Sequence, residues 1–156
     1  MIMAQQKRGY RKAVFVVIYK KQANKIKYLI LKRKLHWKGW EFTKGGIEKG
    51  EAEMLTVIRE VKEESGLTPV RIINHKKKGK YNYRKIIPTR PYFGQTYSLY
   101  SAQVSNKSKK IKIDKHEHNM YKWADFHEAI KLLLWKDQKQ CLSIVNRFLV
   151  REMGKE

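Results

Sequence analysis

The sequence predicts an α/β fold, an α/β/α sandwich in which helices cover a mixed β-sheet, formed by a single domain over residues 1–156. Apolar, β-branched runs of strand length alternate along the chain with segments of helical periodicity. No linker, repeat or low-complexity segment divides the sequence. With 156 residues, 42% of them hydrophobic, the chain is long enough to bury one core.

The first half of the chain begins with two predicted strands. Residues 13–19 and 27–31 are continuous apolar runs separated by a polar segment, which predicts a hairpin of buried strands. Residues 40–42 predict a short third strand before a glycine-containing loop. Over residues 51–65 apolar residues recur at three- and four-residue steps and Gly66 follows, which predicts a helix.

The second half predicts more strands and then helices. Strands are expected at residues 70–73, 97–104 and 121–123. Asp125 is predicted to cap a helix that runs through residue 134, and Asp137 to cap one that runs to about residue 150. The side chains assigned to the core in this half are Leu142, Val145, Phe148, Leu149, Trp123 and Trp135.

The charge of the chain narrows its possible partners. It carries 36 Lys+Arg against 14 Asp+Glu, a net charge of +22, which predicts attraction to polyanions such as nucleic acids. No apolar stretch reaches the length of a membrane span, and residues 1–10 do not form a secretory leader. A single cysteine, Cys141, excludes an internal disulfide and a Cys-based zinc site. We therefore expect a cytoplasmic protein without a membrane partner; the sequence specifies no oligomeric state.

The acidic residues are segregated in this basic chain, since seven of the fourteen lie between residues 41 and 64. On the predicted helix, Glu60, Glu63 and Glu64 fall within an arc of about 100°, and Met54, Ile58 and Val61 lie on the other side. Glu60 and Glu64 would repel each other, and no lysine lies within the arc. Two interpretations remain open: the arc holds a divalent cation, Mg²⁺ or Mn²⁺, which prefers oxygen ligands, or it is a solvated acidic helix face.

The spacing of residues 45–67 matches the pattern G-x5-E-x7-R-E-U-x-E-E-x-G-U, where U is a bulky aliphatic residue. The fixed positions are Gly45, Glu51, Arg59, Glu60, Val61, Glu63, Glu64, Gly66 and Leu67. This segment resembles the Nudix box, the signature of the Nudix hydrolase family. The resemblance implies a Nudix-type α/β/α sandwich that uses Mg²⁺ or Mn²⁺ to hydrolyse a phosphoanhydride linkage attached to a nucleoside.

The resemblance also implies roles for the residues of the box. Glu60, Glu63 and Glu64 correspond to metal ligands, and the backbone carbonyl near Gly45 is a further one. Glu51 and Arg59 correspond to residues that orient this cluster. Either Glu60 or Glu64 would accept the proton of the attacking water.

Residues 40–46, WEFTKGG, are similar to the segment W-x-(L/F)-P-(K/Q)-G-(G/H) of Nudix enzymes that act on dinucleoside polyphosphates and on RNA 5′ ends. Thr43 stands where proline is usual. The resemblance makes Lys44 a candidate phosphate-binding residue. Lys32 and Arg33, near the end of the second strand, are predicted to have the same role; solvated side chains are the alternative for all three.

Residues 116–123, HEHNMYKW, resemble the stretch H-E-H-x-x-(Y/W)-(R/K)-W of asymmetrical diadenosine tetraphosphate hydrolases, which makes Glu117 a candidate metal ligand or base. Residues 94–95, Gly-Gln, are similar to those of RNA 5′-pyrophosphohydrolases. His116 and His118 are predicted loop residues that contact phosphate. A zinc site is disfavoured because neighbouring residues of an extended chain point to opposite sides.

Aromatic and basic residues are interleaved between residues 80 and 97. A base can stack on an aromatic ring while nearby cations attract phosphate, so this segment is a predicted nucleotide or nucleic-acid surface. Packing within the sheet is the alternative for each ring. The base-stacking candidates are Tyr81, Tyr83 and Tyr92, with Phe93 and Tyr97 beside them and Lys80, Arg84, Lys85 and Arg90 as the cations.

Three functions are consistent with these features. The His-Glu-His stretch favours hydrolysis of a dinucleoside polyphosphate such as diadenosine tetraphosphate, whereas the charge of +22 favours a 5′-pyrophosphohydrolase acting on triphosphorylated RNA. A non-catalytic RNA-binding Nudix-fold module is the third, and the complete set of box carboxylates weighs against it.

Overall fold

The computed structural model describes residues 9–34, 38–83, 91–107 and 110–155. Seven strands and three helices alternate within these ranges, and they confirm the predicted α/β class. In chain order the elements are β1 (Gly9–Gln22), β2 (Lys25–Arg33), β3 (Gly39–Glu41), β4 (Thr43–Gly46), α1 (Glu53–Ser65), β5 (Arg71–Asn82), β6 (Tyr92–Gln103), β7 (His118–Ala124), α2 (Phe126–Leu132) and α3 (Lys136–Met153).

The strands form one mixed sheet, as predicted. Its order is β3-β2-β1-β6-β5, with β4 paired to β1 and β7 paired to β2. Strand β1 runs antiparallel to β2 and β4 and parallel to β6. Because parallel neighbours need a long crossover connection, the chain between β1 and β6 has room for α1 and for the edge strand β5.

Both faces of the sheet are covered, because successive residues of β1 point to opposite sides. Phe15 and Val17 belong to the core that includes Leu142 and Leu149 of α3. Val14, Val16 and Ile18 belong to the core on the other face, with Val57 and Val61 of α1. These two cores form the predicted three-layer sandwich.

Helix α1 differs from its prediction at its start and on its buried face. It begins at Glu53 rather than residue 51, so Glu51 lies in the preceding loop. Of the apolar residues predicted to lie opposite the acidic arc, Val61 is buried, but Met54 and Ile58 are 44% and 38% exposed. The helix instead buries a strip that includes two of its carboxylates, Glu60 and Glu64, together with Thr56, Val57, Val61 and Ser65.

Five strands, β1, β2, β5, β6 and β7, are longer than predicted. Strand β5 continues from residue 71 to residue 82, through the basic segment, and β6 begins at residue 92. The prediction that His118 is a loop residue is wrong. His118 begins β7 and is fully buried, because it pairs with Arg33 of β2.

Of the two predicted helix caps, the structure confirms one and contradicts the other. Asp125 caps α2, where its carboxylate accepts a hydrogen bond from the backbone N–H of Glu128 at 2.9 Å. Asp137 does not cap α3, which begins one residue earlier, after Trp135, and runs to Met153. In the second half, Leu142, Val145 and Leu149 are buried as predicted, but Phe148 is exposed and Trp123 and Trp135 are only half-buried.

A search of the described residues for a helix long and apolar enough to span a bilayer finds none.

Candidate active site

Arg59 ties the loop before α1 to the helix. Its Nε and Nη2 donate to the two carboxylate oxygens of Glu51 at 2.8 and 2.9 Å, and Nη2 also donates to the carbonyl of Gly46 at 2.9 Å. Glu51 further accepts a hydrogen bond from the hydroxyl of Thr56 at 2.7 Å. These bonds, with those from Arg59 first, lower the pKa of Glu51 to about 2. The end of β4, which carries Gly45 and Gly46, and the loop that follows it are therefore fixed against the helix.

Glu60 lies directly against the backbone of β4. A Cβ atom at Gly45 would overlap the carboxyl group of Glu60, so only glycine leaves room there. Arg59 Nη1 donates to Glu60 Oε1 at 2.9 Å. Burial nevertheless dominates over this cation and raises the pKa of Glu60 to about 7. The structure thus brings the carboxylate and the Gly45 backbone together.

Glu64 is the most buried carboxylate of the helix, at 3% exposure. Burial raises its pKa well above the ordinary value, and the negative charges of Glu41, Glu60 and Glu117 act in the same direction. Its Oε2 is buried and has no hydrogen-bond partner in the part of the chain that the structure describes. Such an arrangement of carboxylates requires a proton or a cation.

The predicted acidic arc divides between the interior and the surface. Glu60 and Glu64 are buried, which excludes the solvated-face interpretation for these two residues. The side chain of Glu63 is 54% exposed and lies 3.3 Å from Arg59 Nη1. Glu63 therefore stands at the rim of the cluster.

A buried polar network behind the cluster was not predicted. His118 Nε2 lies 2.7 Å from Glu41 Oε2, Arg33 Nη1 lies 3.2 Å from the same oxygen, and Lys44 Nζ lies 3.5 Å from Glu41 Oε1. Burial acts to raise the pKa of Glu41, but Lys44, the His118 hydrogen bond and Arg33 together hold it below its ordinary value. The signal in the sequence was an acidic residue between Trp40 and Phe42 in a predicted strand.

The network reaches the candidate Glu117. Arg33 Nη1 lies 3.8 Å from Glu117 Oε2. One potential ligand atom from each of Glu64, Glu117 and His118 lies within 4.8 Å of the other two. Carboxylate oxygens with an imidazole nitrogen can hold a divalent cation. The structure thus places Glu117, 53 positions after Glu64 in the chain, beside it in space.

The predicted phosphate-binding residues lie in different surroundings. Arg33 is 9% exposed and contacts carboxylates. Lys44 Nζ lies between Glu41 and Tyr81, 6.0 Å from the centre of the Tyr81 ring. Lys32 pairs with Trp40 in the sheet and forms no ion pair with a carboxylate of the described ranges. The structure therefore brings Arg33 and Lys44, but not Lys32, to the carboxylate cluster.

The interleaved tyrosines and lysines of β5 separate onto two faces of the sheet. Tyr81 packs against the core beneath α3, its hydroxyl donates to Gln95 Oε1 at 2.8 Å, and its ring lies 6.2 Å from that of Tyr83. Lys80 lies one position away in the strand and points to the opposite face. Tyr92 pairs with Gly9 at the start of β6. Three of the predicted cations, Arg84, Lys85 and Arg90, lie outside the described residues.

The fold and this site define a class of protein: a mixed-sheet sandwich in which a loop and helix carry a buried carboxylate cluster. The family model described as NUDIX domain matches residues 9–143, and the chain belongs to the Nudix family.

The chain is also similar to individual relatives and to solved structures. The chain is 28% identical to a bis(5′-nucleosyl)-tetraphosphatase (asymmetrical) of Caenorhabditis elegans, over 88% of this chain and 96% of the relative. It is 30% identical to an RNA pyrophosphohydrolase of Nitratiruptor, over 79% of this chain and 83% of the relative. Its fold is similar to the crystal structure of a C. elegans Ap4A hydrolase binary complex, with a TM-score of 0.73, 27% identity and coverage of 89% and 97%. These findings confirm the family and the fold.

Proposed function

We propose that residues 1–156 form one domain, a divalent-metal-dependent Nudix pyrophosphohydrolase that cleaves a phosphoanhydride bond in a nucleoside polyphosphate. The substrate that we favour is a dinucleoside polyphosphate such as diadenosine tetraphosphate. The observation that carries this proposal is the buried pair Glu60 and Glu64. Burial raises the pKa of both carboxyl groups, and Glu64 Oε2 has no hydrogen-bond partner among the described residues.

The residues of the cluster fit Mg²⁺ or Mn²⁺. Glu60, Glu63 and Glu64 would supply carboxylate oxygens, Glu117 would add a fourth, and the backbone carbonyl near Gly45 would add an uncharged one. The unpartnered Glu64 Oε2 is a free ligand atom inside this group. When bound, the metal neutralises charge on the phosphate oxygens and lowers the pKa of a water molecule.

The chain's own side chains hold this site in place. Arg59, through Glu51 and the Gly46 carbonyl, fixes the loop against Glu60. Arg33, held by Glu41, is a positioning residue for Glu117 as well as a candidate phosphate contact. The candidates to accept the proton of the attacking water are Glu60, Glu64 and Glu117.

Residues around the cluster are the candidates to bind the substrate. Lys44, whose Nζ lies 3.5 Å from Glu41 Oε1, is a candidate phosphate-binding cation beside the carboxylates, and Lys32 is a peripheral one. Tyr83, Tyr81 and Tyr92 are the candidates to stack on a base. Tyr81 is engaged by Gln95 and the core, and the Tyr83 ring lies 6.2 Å from the Tyr81 ring. The asymmetrical tetraphosphatase relatives and the His-Glu-His stretch support the dinucleotide.

A second candidate function is 5′-pyrophosphohydrolysis of triphosphorylated RNA. The RNA pyrophosphohydrolase relative and the charge of +22 favour it. A non-catalytic RNA-binding module is the least supported function, because every carboxylate of the box is present.

The single cysteine, Cys141, is buried and free, which supports a cytoplasmic, reducing location.

A substrate panel tests the proposal. Diadenosine tetraphosphate, nucleoside triphosphates, ADP-ribose and triphosphorylated RNA are each incubated with the protein and Mg²⁺ or Mn²⁺. The matched controls are Glu64→Gln, expected to be inactive, and the α2 variant Glu128→Gln, whose carboxylate pairs with Lys122 and which is expected to keep full turnover. Highest kcat/KM on diadenosine tetraphosphate supports the proposal, and no turnover of any substrate contradicts it.

Salt separates the two catalytic functions. A substrate that contacts many phosphate-binding cations loses affinity steeply with salt, with a logarithmic slope of about −0.7 for each neutralised phosphate of a single strand. A small dinucleotide should show a shallow slope. A steep dependence of KM for triphosphorylated RNA, with higher kcat/KM than for the dinucleotide, would reassign the chain to RNA.

A further inference from the structure

A groove lies on the sheet face that α1 only partly covers, towards the edge strand β5. Its volume is about 420 Å³. Strands β1, β5 and β6 form its floor, and Ile47 and Glu53, on either side of the loop that precedes α1, close one side. Three lysines line it: Lys12, Lys78 and Lys80.

The register of the strands places these lysines in two rows across the sheet. Lys12 pairs with Thr96, and Thr96 pairs with Lys80 on the other side. In the next row of the same face, Ser98 pairs with Lys78. Neighbouring strands are about 4.8 Å apart, so the cations stand on both sides of a central strip of small hydroxyl residues.

An aromatic ring extends the same face. Tyr10 pairs with Gly94, and Gly94 pairs with Asn82, which forms a third row. Lys80 Nζ lies 4.5 Å from the centre of the Tyr10 ring, and the Tyr10 hydroxyl donates to Asn82 Oδ1 at 2.7 Å. Gly94, Thr96 and Ser98 of β6 thus form a shallow strip bordered by an aromatic ring and three lysines.

Positive charge predominates among the described residues that line the groove. In the described ranges, none of its three lysines lies within ion-pair distance of a carboxylate, and all three are exposed. The one acidic residue that lines the groove, Glu53, accepts hydrogen bonds from Tyr100 at 2.7 Å and from Ser98 at 3.3 Å.

Protection of the sheet edge does not account for the whole arrangement. Lysines on an edge strand discourage pairing with another chain, and this explains Lys78 and Lys80 on β5. Lys12 lies on the central strand β1, where no edge exists. Its alignment with Lys80 across Thr96 instead indicates a ligand that contacts several strands.

The groove is separate from the carboxylate cluster. Glu53, in the first turn of α1, contacts β6, whereas Glu64, near the end of the helix, lies beside Glu117 and His118 of the segment that pairs with β2. Eleven residues of helix place the two glutamates about 16 Å apart along the axis.

We propose that this groove binds single-stranded nucleic acid. Lys12, Lys78 and Lys80 contact the phosphates, the small residues of β6 allow the backbone to approach the sheet, and the ring of Tyr10 stacks on a base. The site is a binding surface that goes beyond the proposed hydrolysis, since it contains no catalytic group.

The test measures binding of an RNA that lacks a 5′ phosphate, the group that the hydrolase centre would recognise. A fluorescent single-stranded RNA of roughly 12 nucleotides with a 5′-hydroxyl end is titrated by anisotropy at several salt concentrations. The groove variant is Lys12→Gln/Lys80→Gln. Its matched control is Lys131→Gln/Lys136→Gln, which removes the same charge from α2 and α3 on the other face. A third variant, Tyr10→Ala, tests stacking.

We expect the groove variant to bind about tenfold more weakly and its salt slope to be shallower by about 1.4, for two lost phosphate contacts. The control should change less than about twofold, and Tyr10→Ala should weaken binding by at least about fivefold. Equal losses in the two lysine variants, or unchanged binding in the groove variant, would overturn the proposal. Turnover of diadenosine tetraphosphate by the groove variant should stay normal, which separates this test from that of the hydrolase.

Discussion

The imidazole Nε2 of His118 lies 2.7 Å from Oε2 of Glu41, and both side chains are buried. Glu41 comes from β3 and His118 from the start of β7, and both strands pair with β2. The contact therefore joins two short strands next to Glu117, whose carboxylate lies near Glu64. Its integrity should matter for both the stability and the position of Glu117.

Replacing His118 by alanine should destabilise the protein. The change removes one of the two hydrogen bonds to Glu41 Oε2, a bond to a charged group that is worth about 1.5–3 kcal/mol, and opens a cavity. Chemical denaturation measures the free energy of unfolding. His116→Ala, at an exposed position two residues earlier, is the control and should stay within about 0.5 kcal/mol of the wild type. Similar small effects of both substitutions would show that the buried contact contributes nothing.

A methyl group at Gly45 should disrupt the cluster. Because a Cβ atom there overlaps the carboxyl group of Glu60, Gly45→Ala must displace either Glu60 or β4. We expect turnover to fall by about 100-fold, in the range of changes that misplace metal ligands. Gly9→Ala is the matched control, since its Cβ meets nothing within 4 Å. Full activity of Gly45→Ala would mean that Glu60 need not lie against this backbone.

The metal-free protein should lose stability as the pH rises towards neutrality. The folded-state pKa of Glu60 is about 7, above the ordinary value of 4.5, so the folded state binds more protons between these limits. This contribution is fully present below pH 4.5 and is lost as the pH rises through 7. The raised pKa of Glu64 acts in the same direction.

The measurement is the thermal midpoint in chelator between pH 5.5 and pH 8. We expect a decrease of about 5 °C in the wild type and a smaller one in Glu60→Gln, which cannot ionise. Glu128→Gln, on the surface of α2, should follow the wild type. Identical pH profiles for wild type and Glu60→Gln would contradict the assigned pKa.

Removing the Tyr83 ring should weaken nucleotide binding more than it slows the reaction. The backbone N–H of Tyr83 is already bonded to the carbonyl of Phe93, so Tyr83→Ala keeps this link and loses only the ring. KM for diadenosine tetraphosphate should rise by about fivefold or more, the loss of one stacked base, with kcat nearly unchanged. Tyr121→Ala on β7 is the control. An unchanged KM at normal stability would remove Tyr83 from the base site.

The carboxylate helix could be predicted from the sequence because the residues that define it lie within one short segment of the chain. The spacing of Glu51, Arg59, Glu60 and Glu64 determines their positions on one loop and one helix, and the structure places them in a single cluster. The apolar periodicity misassigned Met54, because α1 covers the sheet with a narrow strip and turns its carboxylate side inward.

Contacts between distant strands account for what the sequence did not reveal. The burial of His118 depends on its pairing with Arg33, 85 positions earlier, and no local pattern encodes that pairing. The division of Lys80 and Tyr81 between two faces follows from the extent of β5, whose alternation shows only once the strand reaches residue 82. Local spacing therefore predicted which side chains share one loop and one helix, whereas strand pairing determined which distant side chains share a surface.

Direct binding of Mn²⁺ tests the central claim most sharply. The metal-free protein and its Glu64→Gln and Glu128→Gln variants are titrated with Mn²⁺, and the free ion is followed by electron paramagnetic resonance. Saturable binding by the wild type and Glu128→Gln, with affinity lowered about 100-fold in a folded Glu64→Gln protein, is the predicted result. Equal Mn²⁺ binding by all three proteins would contradict a metal centre at Glu64.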